Sequence, residues 1–61
     1  MVELEILFKD EHKEWFSPLI SESYEDVEGE IKLTIFNGYY DYEFKLEDIS
    51  GRNYYVVETR L

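Results

Sequence analysis

The sequence predicts an all-β fold, a small antiparallel meander closing into a five-stranded barrel or sandwich, on three observations. Residues 2–8 and 30–36 alternate apolar with polar side chains, the period of a half-buried strand. Asn37-Gly38 follows the second run, and Asn-Gly between alternating stretches signals a two-residue hairpin turn. Eleven of the 61 residues are Phe, Tyr or Trp, each able to bury ~150–250 Å², which compensates for a chain too short to hold a large core.

In VELEILF, Val2, Leu4, Ile6 and Phe8 share one face with Glu3 and Glu5 on the other; Leu7 breaks the pattern, so the far end of this strand is expected to be covered on both sides. KDEHKE, residues 9–14, reads as a charged connection. Residues 15–29 have two readings. Phe16, Leu19, Ile20, Tyr24 and Val27 recur at helical spacing, with Ser17 as N-cap, Pro18 at the first position and Gly29 as a stop, which gives an α+β alternative, β-α-β-β-β with a short helix at about 18–28. Three serines, Tyr and Val are weak helix formers, and Glu25, Asp26 and Glu28 oppose the helix dipole, which favours irregular chain plus a strand.

A two-residue loop at Asn37-Gly38 sets Ile35 opposite Tyr40, Leu33 opposite Tyr42 and Ile31 opposite Phe44. It also matches Lys32 with Glu43 and Glu30 with Lys45 on the other face. Ser50-Gly51-Arg52-Asn53 then reads as a turn into a third meander strand, pairing Lys45 with Glu58 and Glu43 with Arg60. The resulting core is Ile31, Leu33, Ile35, Tyr40, Tyr42, Phe44, Leu46, Tyr55 and Val57. Phe36, Tyr39, Ile49, Tyr54 and Val56 remain on the opposite face. The pairing of Leu33 with Tyr42 carries this division.

One domain, residues 1–61, fits the length. No signal peptide or membrane span is read from the sequence, and the chain is expected to be cytoplasmic. The net charge of −9 is one-sided: residues 1–30 carry ten acids against two lysines, residues 31–61 five acids against four bases. Such a surface repels phosphates and anionic lipid, so neither direct nucleic-acid nor membrane binding is expected, while a basic protein surface is favoured.

No catalytic residue, cofactor or metal site is expected. There is no cysteine; His12 is the only histidine and lies in a solvated run; ESYEDVEGE lacks the spacing of a calcium loop. No serine has a neighbouring base to activate it. The expectation is a small non-enzymatic protein-interaction module binding a basic or apolar partner surface. Its aromatic patch would comprise Tyr39, Tyr54 and Phe36, with an acidic rim of Glu22, Glu25, Asp26 and Glu28. The alternative is an acidic nucleic-acid mimic that inhibits a DNA- or RNA-processing protein, because alternate carboxylates on a strand stand ~6.8 Å apart, two phosphate steps of ~3.4 Å. A homo-dimer through the exposed rings is a third expectation.

Overall fold

The computed structural model describes residues 1–58 and contains six strands: β1 (Val2–Phe8), β2 (Lys13–Phe16), β3 (Ser21–Val27), β4 (Glu30–Phe36), β5 (Asp41–Lys45) and β6 (Ile49–Val56). A single 3-10 turn, Leu46–Asp48, separates β5 from β6. The strands form two antiparallel three-stranded sheets, ordered β2-β1-β6 and β3-β4-β5. The all-β class holds, but the five-stranded count and the closed barrel do not. Among the described residues no helix is long and apolar enough to cross a membrane.

The α+β alternative is overturned by β3, which occupies the span expected of the helix. Tyr24 pairs with Leu33 and Val27 with Glu30, so residues that share a helical stripe lie on opposite sides of a pleat. The turn that makes this hairpin is Glu28-Gly29. Both residues have positive φ, +54° and +83°, as a type I′ turn requires, and the Gly29 amide donates to Asp26 Oδ1 at 3.0 Å.

The expected two-residue turn at Asn37-Gly38 is instead a four-residue loop. The Asn37 side-chain oxygen accepts from the amides of Tyr39 and Tyr40 at 2.9 and 2.8 Å, and the Asn37 amide donates to the Tyr40 carbonyl at 3.3 Å. Asparagine here supplies a side-chain acceptor that imitates a backbone turn, and two extra residues leave the ladder. The register moves by two: Leu33 lies opposite Phe44, not Tyr42, and Ile35 opposite Tyr42. An even shift keeps every side chain on its face but changes every partner. Lys32 now stands across from Lys45, and Glu30 separates the like charges by reaching Lys45 Nζ at 3.3 Å.

The expected third meander strand is also corrected. Residues 49–56 leave β5 and pair with β1, Glu3 opposite Tyr55 and Leu4 opposite Tyr54. Ser50-Gly51 serves a bulge in place of a turn: Leu7 pairs with Gly51 and Phe8 with Ile49, and the Ser50 hydroxyl donates to the Leu7 carbonyl at 3.2 Å. Glu58 follows β6 and pairs with no strand, so it does not meet Lys45; Arg60 lies outside the described residues. KDEHKE is only partly a connection, since Lys13 and Glu14 open β2.

Both sheets contribute to one core of Leu4, Ile6, Phe8, Phe16, Leu33 and Ile35, with Leu19, Phe44 and Ile49 packed against it. Each fully buried aliphatic side chain contributes roughly 1.5–3 kcal/mol. Phe44 meets Phe8 and Phe16 at ring-centroid distances of 5.3 and 5.8 Å, and Phe16 meets Tyr42 at 5.2 Å. Of the expected core, Leu33 and Ile35 are buried, whereas Ile31, Tyr40, Tyr42 and Tyr55 are exposed. The β1 strand and Phe16 take their place because the second sheet, not a third meander strand, covers β4.

Candidate interaction surfaces

Tyr54 projects from β6 on the same face as Leu4 and Ile6, toward the other sheet. Its hydroxyl donates to the Glu22 carboxylate at 2.7 Å to Oε1 and 2.9 Å to Oε2. Arg52, two residues earlier, reaches Glu22 Oε2 at 3.4 Å and hydrogen-bonds the Tyr24 hydroxyl, with its guanidinium carbon 5.6 Å from the Tyr24 ring centre. The four side chains thus fasten β6 to β3 across the gap between the sheets. Loss of hydration around the hydroxyl, reinforced by the Glu22 carboxylate, pushes the Tyr54 pKa up to about 12. The Arg52 pKa is also raised, chiefly by its bond to Tyr24.

The other residues expected at the contact surface are scattered. Tyr39, 84% exposed, stands on the β4–β5 loop and makes no ring–ring contact among the described residues. Phe36 is half-buried at the end of β4, opposite Ser21 and Asp41. Glu25 lies opposite Lys32, on the face away from Glu22; Asp26 holds the β3–β4 turn; Glu28 sits in that turn. Tyr54 and Glu22 are therefore brought together, and the remaining five are not joined to them.

Exposed apolar residues do gather at one end of the molecule. The Leu19 amide donates to the Val2 carbonyl and the Ile20 amide to the Phe36 carbonyl, so the chain crosses between sheets there. A side-chain carbon at Gly38 would lie 3.5 Å from Ile20 Cγ1, and Met1 bonds Val57 through both its ammonium and its carbonyl. Met1, Ile20, Tyr39, Tyr40 and Val56 are all exposed around this crossing.

A second surface lies on the outer face of β2-β1-β6. There the register sets out two rows: Trp15, Glu5 and Asn53 in one, and Tyr55 beside Glu3 in the next, with Ser17 following β2 on the far side of Glu3. Trp15 and Tyr55 meet across the central strand, centroids 5.3 Å apart and planes tilted by 33°. The two carboxylates turn away along the other diagonal, Glu3 accepting from the Ser17 hydroxyl at 2.5 Å and Glu5 from the Asn53 amide at 3.1 Å. Trp15 remains 51% and Tyr55 43% exposed. Neither was expected at a surface site, although a signal existed. Trp15-Phe16 and Tyr54-Tyr55 are adjacent aromatics, and in a strand such neighbours must face opposite sides.

The surface also carries shallow clefts. One, of about 450 Å³, is lined by Glu28, Gly29, Glu30, Ile31, Leu46 and Glu47. Another, of about 510 Å³, includes Phe8, His12 and Asp10. His12 stacks on Phe8 with centroids 4.1 Å apart and planes nearly parallel, and its ring bonds Asp10. The bonds from His12 hold the Asp10 carboxyl below its ordinary value. Among the described residues no three His, Cys, Asp or Glu side chains converge as a metal site. Comparison with protein-family models, with curated proteins and with solved structures finds no match to this chain.

Proposed function

We propose that this chain is a small non-catalytic module that binds a basic surface of another protein. The observation that supports this reading is the balance of its apolar side chains. Among the described residues six are buried in the core, while twelve large ones, seven of them aromatic, are substantially exposed on a chain of net charge −9. Exposed rings bordered by charge give area for contact, and excess carboxylate speeds encounter with a cationic partner. The same charge opposes association of two copies, which makes a second protein the better occupant than a homo-dimer.

Amide chemical shifts recorded during titration with short basic peptides, at low and at raised salt, test the reading. Saturable shifts that weaken with salt are expected. A chain that shows none, or that is already a dimer with these residues covered by light scattering, contradicts it.

A further inference from the structure

From the outer face of β2-β1-β6, we infer that the Trp15–Tyr55 pair and the carboxylates of Glu3 and Glu5 form a seat for an arginine side chain of the partner. This inference rests on the protein-binding reading and names the chemistry at one contact.

Three features of the face converge on a cation. First, the two rings touch each other, so nothing inserts between them; what they offer is a joint, shallow π surface of two planes inclined by 33°. Indole is the strongest cation–π partner among the side chains, and a phenol ring beside it extends the area. Second, a carboxylate stands on each side of that surface. Glu3 and Glu5 are held by neutral donors, Ser17 and Asn53, and neither has a cation within ion-pair distance among the described residues. Lys13, which shares this face beside Leu7, makes no ion pair there among the described residues. The charge of both carboxylates is thus fixed in direction and left without a counter-charge.

Third, the geometry suits guanidinium better than ammonium. A planar guanidinium lies flat on a ring and carries five donors in its own plane, so it can stack on the indole while its edge donates to a carboxylate. An ammonium is a compact, strongly hydrated point charge that loses more water to reach the same surface. A sugar ring also stacks on tryptophan and its hydroxyls donate to carboxylates, but only a cation gains in addition the charge–charge attraction of two carboxylates that lack a counter-charge.

Trp15 is the only tryptophan in the chain, so its fluorescence reports on this face alone. The experiment titrates the full chain with a blocked tetra-arginine peptide and with its citrulline counterpart, which keeps the planar shape without the charge. Saturable change in Trp15 emission is expected with arginine, about tenfold weaker binding with citrulline, and about tenfold weaker arginine binding in the Glu3→Gln/Glu5→Gln double variant. That variant keeps both hydrogen-bond acceptors, and circular dichroism verifies its fold. Equal binding of the two peptides overturns the proposal, as does an unchanged affinity in the double variant, or saturable quenching by maltotriose but not by either peptide. Amide shifts followed in the same titration separate the two levels. Shifts elsewhere with silent Trp15 emission remove this seat and leave the protein-binding reading; no shifts anywhere remove both.

Discussion

Tyr54 on β6 and Glu22 on β3 belong to different sheets, yet the phenol hydroxyl donates to both oxygens of the carboxylate, at 2.7 and 2.9 Å. Arg52 approaches the same carboxylate at 3.4 Å. Together these contacts tie two sheets whose facing sides meet in the buried core.

Tyr54→Phe removes the donor and keeps the ring, so it is expected to destabilise the fold by about 1 kcal/mol at neutral pH. The Tyr54 pKa is raised in the folded state, so its contribution is fully present below the ordinary value of 10 and is lost as pH rises through about 12. Urea unfolding of both proteins across that window should show the gap between them closing. A gap that stays constant contradicts the assignment.

The four-residue loop makes Asn37 an acceptor for two amides. Asn37→Ala is expected to cost about 1 kcal/mol, and Asn37→Asp, which keeps the oxygen, much less. Equal midpoints of thermal unfolding for the two variants would point back to a two-residue turn, in which the side chain has no such duty.

Leu33 is fully buried whereas Ile31, two residues away on the same face, is 42% exposed. Leu33→Ala is therefore expected to cost about 2–5 kcal/mol, enough to unfold a chain of this size, while Ile31→Ala costs about 1 kcal/mol or less. Circular dichroism of the two variants checks the order, and equal loss would place the core further toward the β3–β4 turn.

Among the described residues Glu30 carries the only ion pair that offsets the facing lysines Lys32 and Lys45, and its bond raises the Lys45 pKa. Glu30→Gln should lower the unfolding midpoint in dilute buffer and lose that effect in high salt, because the groups are solvent-screened. A loss independent of salt would assign Glu30 a packing role instead.

The strands most legible in the sequence are β1 and β4, where alternation over residues 2–6 and 30–35 puts Leu4, Ile6, Leu33 and Ile35 on one face each. Turns and partners were less legible. Asn-Gly and Ser-Gly both announce a change of direction, but asparagine also suits a side-chain-capped loop and glycine also suits a bulge. The local residues do not choose between these. Glu28-Gly29 was missed as a hairpin turn because glutamate seldom takes positive φ; the following glycine and the Asp26 carboxylate make it tolerable here. Strand partners are set by which faces can be buried together. Tyr54 and Tyr55 alone do not tell whether β6 continues the meander or crosses to β1. That choice moved Tyr55 from the expected core to the outer face beside Trp15.

The crossing of β6 creates both the Tyr54–Glu22 bond and the Trp15–Tyr55 face, so its register is the most direct test. Nuclear Overhauser contacts between backbone protons of β6 and its neighbours decide it. The account predicts contacts of Tyr55 with Glu3 and of Tyr54 with Leu4; contacts of residues 54–57 with β5 instead would contradict it.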